Sequence, residues 1–187
     1  MPDRADRFYF ELLIVRCQIG DRCAFAELVS QYQPRLRAFL GKMLGQSQHL
    51  DDLTQEVWMD VFKDLKRLSN PGAFLPWMYR IARNRAFRML RKRTHPTVSI
   101  DEVDGKAQAA EEPEFGSDDV RAVHLALDRL IPEHREVLLL RFIEDMSYDD
   151  IAAVVQVPLG TVRSRIHNAK LNLRRIIEQD MPDRSPL

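Results

Sequence analysis

The chain has few cysteines and glycines, and these low counts argue against a zinc-binding protein and against a loop-rich or β-rich fold. Its 187 residues include only two cysteines, Cys17 and Cys23, with no further cysteine or nearby histidine to complete a zinc site. Such isolated thiols are typical of reduced side chains in a cytoplasmic protein, and a redox switch between them stays open as the less favoured alternative. Seven glycines are too few for a loop-rich or β-rich fold.

Long hydrophobic runs and catalytic patterns are missing as well. The apolar stretch from Phe8 to Val15 is short and interrupted by Glu11, so it is neither a signal segment nor a membrane span. The chain has no glycine-rich phosphate loop, and its five histidines are scattered without metal-ligand spacing. We therefore expect no catalytic residues, no metal, no cofactor, no membrane insertion and no enzyme activity.

Charge is present in abundance but is strongly segregated. The formal net charge is zero, yet residues 80–95 carry seven Arg or Lys and no acid, and residues 163–177 carry five basic residues and no acid. Between them, residues 101–119 hold eight acids against one lysine. Partners would meet these separate patches rather than the neutral average.

Helical periodicity dominates the chain, which predicts an all-α fold with two small helical domains. A first domain is expected over residues 1–93, with helices near 8–18, 24–44, 50–68 and 74–93. Residues 94–117 lose the periodicity and gain proline, glycine and acids, as is typical of a flexible linker. A second domain is expected over residues 118–187, opening with two helices that are broken near Ile131-Pro132.

Residues 147–175 predict a helix-turn-helix. Ser147 and Asp150 have the spacing of a capping box, which places the start of the first helix. Val157-Pro158 is expected to end it, and Gly160-Thr161 to supply flexible backbone and a cap near the start of the second helix. Along that second helix, residues recurring at intervals of 4, 3 and 4 form an apolar stripe: Val162, Ile166, Ala169 and Leu173.

The opposite side of this second helix carries side chains suited to reading DNA. Arginine, serine and asparagine hydrogen-bond base edges, and arginine and lysine hold phosphates. The candidate DNA-binding residues here are Thr161, Arg163, Ser164, Arg165, His167 and Asn168. An ordinary helical hairpin with a solvated basic face is the competing interpretation of this segment alone.

The basic helix near 74–93 is a second candidate DNA-binding element. Phe74, Trp77, Met78 and Ile81 share one face and are expected in the core. Tyr79, Arg83 and Phe87 are spaced four apart on another face, where aromatic and basic groups could stack unpaired bases and follow phosphates. An amphipathic helix with packed aromatics and solvated arginines is an equal alternative. A base pulled out of the duplex also needs a polar pocket, for which Asn84 and the turn at Ser69-Asn70 are candidates.

Four motifs, in order, resemble those of an extracytoplasmic-function (group IV) sigma factor of the sigma-70 family. They are GDRCAFAELVSQY, HLDDLTQEVWMDVF, FLPWMYRIARNRAFRMLRKR and LIPEHREVLLLRFIEDMSYDDIAAVVQVPLGTVRSRIHNAK, and the similarity covers residues 18–178. The resemblance implies that the chain binds core RNA polymerase through its β′ clamp and β flap, directs it to promoter DNA and helps to open the strands. It also implies control by an anti-sigma factor.

The same resemblance assigns roles to individual residues. Asp52, Gln55 and Glu56 correspond to the polymerase-binding segment. The strand-opening and minus-ten-reading set is Ser69, Asn70, Tyr79, Arg80, Arg83, Asn84, Phe87 and Arg88. The set at the minus-thirty-five element comprises the helix-turn-helix residues already named, in which His167 and Asn168 depart from the aromatic or basic residues common in the family.

Two rival functions and one hypothesis remain at this point. A stand-alone helix-turn-helix regulator would bind a palindrome as a dimer without polymerase, and a protein-interaction adaptor would show no salt-dependent DNA binding. The acidic linker could fold back over the basic faces and mask them, although a solvated spacer is the simpler interpretation.

Overall fold

The computed structural model describes residues 4–45, 48–94 and 118–180. Regular structure in these ranges is entirely helical. Eight α-helices occur in them: α1 Arg4–Gln18, α2 Arg22–Leu44, α3 Leu50–Asp64, α4 Phe74–Thr94, α5 Asp118–Arg129, α6 Pro132–Leu138, α7 Tyr148–Val155 and α8 Leu159–Asp180. The predicted all-α class is confirmed. Thr94, the first residue of the linker predicted over residues 94–117, is instead the last residue of α4. The rest of that linker, with its proposed masking role, lies outside the described residues.

The first domain, α1–α4, packs around one apolar core. The fully buried side chains come from all four helices, because each presents an apolar stripe at helical spacing. Leu28, Leu36, Phe39 and Met43 line the inner face of α2. Asp21 caps α2, since its carboxylate accepts hydrogen bonds from the amides of Cys23 and Ala24 at 2.9 and 3.0 Å.

Several boundaries differ from the sequence expectation. Helix α3 ends at Asp64, four residues before the predicted end, and continues as a 3₁₀ turn over Leu65–Arg67. Gln18 fixes this turn, because its side-chain amide donates to the carbonyls of Leu65 and Leu68 at 3.0 and 2.7 Å. Helices α1 and α2 begin earlier than predicted, at Arg4 and Arg22.

The two cysteines differ in exposure. Cys17 is buried in the core and Cys23 is exposed. Burial raises the pKa of the Cys17 thiol to about 11, so little thiolate forms there at neutral pH.

The second domain, α5–α8, contains the predicted break and one feature that periodicity did not indicate. Ile131 precedes α6, which starts on Pro132, as expected for a proline at the first helical position. Helix α6 then widens into a π-helical turn over Leu139–Ile143. Such turns insert an extra residue into the hydrogen-bond ladder and re-aim the side chains that follow.

The helix-turn-helix is confirmed, with a different turn from the one expected. Ser147 caps α7 by accepting from the amide of Asp150 at 3.1 Å. Helix α7 ends at Val155, before the expected Val157-Pro158, because Gln156 takes a left-handed conformation with φ 56° and ψ 46°. Helix α8 starts at Leu159, so Gly160-Thr161 lies in its first turn, near the predicted start of the second helix.

Gln156→Gly is expected to stabilise the second domain. A non-glycine residue in the left-handed region costs roughly 1 kcal/mol, which glycine avoids at a helix end. Thermal unfolding should therefore shift upward by a few degrees. As a matched control, Gln55→Gly in the exposed middle of α3 should lower stability by about 1 kcal/mol. If both variants were destabilised, or both stabilised, the left-handed conformation of Gln156 would be contradicted.

The two domains pack directly on one another. Helix α4 of the first domain lies against α7 of the second, and α2 approaches α6. Their buried residues form one contiguous cluster. This packing is the main feature of the fold that the separate periodicities of the two domains did not predict.

Candidate nucleic-acid interface

Helix α8 has the two faces that its sequence predicted. Val162, Ile166 and Ala169 are buried against the rest of the second domain, because they recur on one side of the helix. The other side is open to solvent, and four of the predicted DNA-binding residues are exposed there: Arg163, Ser164, His167 and Asn168. An exposed polar face on the second helix of a helix-turn-helix fits a major groove.

The remaining two residues of this predicted set are half-buried. Thr161 lies in the first turn of α8, where its amide donates to the carbonyl of Pro158 at 2.9 Å. Its own carbonyl accepts from the Ser164 hydroxyl at 3.0 Å. Arg165 is half-buried, and its charge offsets part of the rise that burial causes in the pKa of Glu136. These two residues are therefore less accessible to a DNA duplex than the four on the open face.

Tyr79 occupies a position that sequence reasoning did not expect. It was predicted on a face separate from the core, but it is 1% exposed and its ring packs edge-on against Phe39, 5.1 Å away. Its hydroxyl donates to the carboxylate of Glu144 in the second domain. Burial, followed by the Glu144 charge, raises the pKa of Tyr79 well above its usual range. The placement of Tyr79 on an open face is thus corrected, because its ring packs against Phe39 in the core and its hydroxyl is bound by Glu144 of the second domain.

Arg83 also faces the second domain. Its guanidinium donates to the buried carboxylate of Glu136 and lies over the ring of Phe87, 4.6 Å from the centroid. The side chain of Arg83 is only 18% exposed. The predicted row of Tyr79, Arg83 and Phe87 therefore exists, but it forms part of the contact between domains.

The open side of α4 holds the other predicted residues of this helix. Asn84 and Arg88 are exposed and Arg80 is half-buried. Asn84 lies beside Arg83, with 3.4 Å between the amide oxygen and the nearest guanidinium nitrogen. The exposed amide and guanidinium groups are suited to bases and phosphates respectively.

The turn before α4 is fixed in shape by its own side chains. The Asn70 amide oxygen accepts from the amide of Gly72 at 3.0 Å, which starts a 3₁₀ turn over Pro71–Ala73. A Cβ at Gly72 would lie 3.1 Å from a carboxylate oxygen of Glu11, so only glycine fits against α1 without a shift. Ser69 and Asn70 are both exposed, which leaves this turn accessible to a ligand.

The predicted polymerase-binding residues share the outer face of α3. Asp52 and Gln55 are exposed. Glu56 is exposed too, but its carboxylate is ion-paired with Arg85 of α4, which also binds Asp60 at 2.6 Å. Glu56 therefore ties α3 to α4 in addition to any role at the surface.

Sequence reasoning missed three charged residues that connect the domains. Arg135, Glu136 and Glu144 are all buried, although charged side chains are almost never fully buried unless they are paired. A sequence signal was present, because Glu144 interrupts the largely apolar stretch from Val137 to Met146, and Arg135 and Glu136 come directly before it. Their burial is explained by partners in the first domain and, for Arg135, by carbonyls of α5 as well.

No group of His, Cys, Asp and Glu side chains in the described part of the chain is arranged to hold a metal ion. Within the same residues, no helix combines the length and the apolar character needed to cross a membrane.

Family models match both domains of the chain. Sigma-70 region 2 matches residues 28–95, which include α3 and α4. Sigma-70 region 4 matches residues 121–173, which include the helix-turn-helix. Together the two models cover more than half of the chain, in the order that the four sequence motifs indicated.

Individual proteins agree with these models. The RNA polymerase sigma-H factor of Pseudomonas aeruginosa is 35% identical over 170 residues, covering 84% of this chain and 88% of the relative. The ECF RNA polymerase sigma-E factor of Escherichia coli K12 is 30% identical over 172 residues, covering 86% of this chain and 90% of the relative.

Solved structures share the fold. CnrH in complex with the cytosolic domain of CnrY matches with a TM-score of 0.68 and 22% identity, over 91% of this chain and 98% of that one. The sigma factor RpoE of Bartonella quintana, in complex with the anti-sigma factor NepR, matches with a TM-score of 0.65 and 27% identity, over 86% and 98%. The two family models and the relatives of 30% identity or more establish that the chain belongs to the extracytoplasmic-function group of the sigma-70 family, the alternative sigma factors of RNA polymerase.

Proposed function

We propose that this sigma factor binds core RNA polymerase through α3, reads the minus-thirty-five element with α8 and opens the minus-ten element with α4. The observation that carries the proposal is the pair of DNA-suited surfaces on two separate domains. Arg163, Ser164, His167 and Asn168 are exposed on α8, and Asn84 and Arg88 are exposed on α4. Two such surfaces on one chain fit a promoter with two separated elements.

Each surface would use a different form of recognition. The α8 face would enter a major groove, where Arg163 binds guanine edges or phosphates and Asn168 binds adenine edges. The α4 face would meet unpaired bases, with Asn84 supplying hydrogen bonds and Arg80 and Arg88 following the phosphates. Taking a base out of the stack costs a few kcal/mol, which these contacts offset.

Contact with the polymerase would involve a charged and polar patch on α3. Asp52, Gln55 and Glu56 present two carboxylates and an amide on the outer face of the helix. Such groups favour a basic partner surface and contribute to orientation and association rate. The β′ clamp is the proposed partner of this patch, and the β flap is the proposed partner of the second domain.

Regulation and location follow from the same assignment. The matching structures of CnrH and RpoE each contain a partner, the cytosolic domain of CnrY and the anti-sigma factor NepR. We propose that an anti-sigma factor likewise controls this chain, and that the chain acts in the cytoplasm beside the polymerase. Its role would be to confer specificity on an enzyme without catalysing a reaction itself.

Run-off transcription tests this function. Purified protein and core RNA polymerase, supplied with a promoter library, should give selective transcripts that Asn84→Ala and Arg163→Ala each reduce at least tenfold. Loss of one good contact to a base costs about 1–3 kcal/mol, which sets that scale. Arg67→Ala, which removes an exposed arginine paired with Asp64 in the turn after α3, should leave transcription unchanged. Tight DNA binding with no polymerase-dependent transcript would instead support a stand-alone regulator.

A further inference from the structure

Helix α1 supports the turn between α3 and α4, which belongs to the residues predicted to read the minus-ten element. Ser69 and Asn70 are exposed in this turn, within the non-α-helical residues 65–73 that connect the two helices. The match to sigma-70 region 2 begins at residue 28, so it does not include α1. The contribution of α1 to this turn is seen in three-dimensional contacts.

Gln18, the last residue of α1, binds the first part of the connection. Its side-chain amide donates to the carbonyls of Leu65 and Leu68, at 3.0 and 2.7 Å. A glutamine amide nitrogen carries two hydrogens to donate, so Gln18 has one for each carbonyl. These carbonyls are 47 and 50 positions away in the sequence, so the contact is tertiary.

The two carbonyls lie where the chain leaves helical geometry. Carbonyls at a helix end lack a partner within the helix, and here the 3₁₀ turn over Leu65–Arg67 follows directly on α3. Leu68 then takes an extended conformation with φ −73° and ψ 107°, which leads the chain toward Ser69. Gln18 therefore fixes the place and the direction from which the exposed turn starts.

The far end of the connection also packs on α1. Phe74, the first residue of α4, is fully buried, and its ring lies edge-on to that of Phe10 with 6.0 Å between the centroids. Gly72 lies so close to Glu11 that a Cβ there would be 3.1 Å from the carboxylate. Because both ends of the turn lie against one helix, α1 determines where its exposed side chains are presented.

We propose that Gln18 is a positioning residue for the minus-ten element, holding the Ser69-Asn70 turn in the shape that selects one unpaired base. Gln18 contacts no DNA in this role and acts through the carbonyls of Leu65 and Leu68. Hydrogen bonds weaken steeply when their geometry departs from the preferred range, so a displaced turn discriminates poorly between bases. The proposal rests on the proposed function, which supplies the promoter and the polymerase.

Hydrogen exchange on the free protein measures the effect of Gln18 on the turn. Gln18→Met keeps an unbranched side chain of similar length but has no N–H donor. The amides of Leu68, Gly72 and Ala73 bond within the connection, and in this variant they should exchange roughly fivefold faster through local opening. Gln31→Met, on the exposed side of α2, is the matched control and should keep the parental rates. Unchanged exchange in Gln18→Met would overturn the proposal.

Base selectivity measures the effect on recognition. Run-off transcription with core RNA polymerase is compared on promoters that carry each of the four bases at every minus-ten position. Ser69→Ala and Asn70→Ala identify the position read by the turn, because each should weaken the base preference there. At that position Gln18→Met should lower the ratio of the best to the worst base by roughly fivefold, within the range of one good base contact. The ratios at the other positions should stay as in the parent.

Two variants distinguish positioning from a general loss of stability, which would lower transcription from all promoters by one common factor. Gln18→Lys supplies a new donor to the same carbonyls and should recover most of the selectivity; a variant as unselective as Gln18→Met would contradict the proposal. The double variant Gln18→Met/Asn70→Ala should be no less selective than Asn70→Ala alone, since both changes act on one contact. Additive losses would show that Gln18 acts elsewhere.

The outcomes separate this proposal from the proposed function. If the parent transcribes selectively and Gln18→Met keeps its base preference, or loses it equally at every minus-ten position, the positioning role is overturned and the proposed function stands. If the parent gives no selective transcripts, the proposed function is overturned and the positioning role with it, even where exchange in the turn responds to Gln18→Met.

Discussion

Arg135→Ala is expected to destabilise the protein by about 3–5 kcal/mol, because several buried backbone carbonyls lose their donor at once. The Arg135 guanidinium reaches five backbone carbonyls, two at the end of α2 and three around the end of α5. Alanine leaves these acceptors without their donor, and each buried acceptor that loses its partner is costly. Urea unfolding monitored by circular dichroism measures the loss.

Two companion variants separate this effect from a loss of charge. Arg135→Lys keeps the positive charge but cannot reproduce the planar set of donors, so its stability should lie between those of the parent and Arg135→Ala. Arg129→Ala removes an exposed arginine that is paired with Asp180, and it should cost less than about 1 kcal/mol. Equal losses for Arg129→Ala and Arg135→Ala would show that the carbonyl contacts contribute nothing specific.

Glu136→Gln is expected to remove most of the pH dependence of stability between about pH 5 and pH 7.5. Burial raises the pKa of Glu136 to about 7, and the nearby Arg83 and Arg165 offset this only in part. Because the folded-state pKa is the higher one, the protonated form favours folding. The stabilisation is complete below the ordinary pKa and is lost as the pH rises through about 7.

The magnitude follows from the size of the shift. A difference of 1 pKa unit corresponds to about 1.4 kcal/mol, so the parent should lose roughly 2–3 kcal/mol between pH 5 and pH 8 from this group. Glutamine resembles the protonated acid and still offers an oxygen to Arg83, so Glu136→Gln should be the more stable protein at pH 8. Thermal unfolding across this pH range gives the comparison.

An exposed carboxylate supplies the control for this experiment. Glu178 is exposed on α8, and Glu178→Gln should retain the parental pH profile. If the stability of Glu136→Gln depends on pH as steeply as that of the parent, Glu136 does not cause the pH dependence, and its burial does not raise its pKa.

The local structure of this chain could be predicted well because it depends on neighbours in sequence. The spacing of Val162, Ile166 and Ala169 fixed which side of α8 is buried, and Ser147 marked the start of α7. Ile131-Pro132 marked a helix boundary for the equally local reason that proline lacks an amide donor. The end of α7 was predicted less well, because the left-handed conformation of Gln156 has no distinctive sequence signature.

The sequence predicted which residues make up the candidate site, but it did not predict which of them are exposed. The four exposed residues of α8 lie on the side that periodicity indicated, since the main packing of that helix is against α5, α6 and α7 of its own domain. On α4, by contrast, Tyr79 and Arg83 could equally be solvent-facing or covered by a partner surface. A helix periodicity identifies the residues that share a face, but it does not identify what the face contacts.

The sequence by itself therefore determined the helical class, the two domains, the helix-turn-helix and the residues suited to DNA. Tertiary structure alone decided that the domains lie against each other and that Glu136 and Glu144 bind Arg83 and Tyr79. These partners are 53 and 65 residues apart in the chain. No periodicity within a helix spans such a separation, because long-range pairing depends on the shapes and charges of two surfaces that form only after each domain has folded.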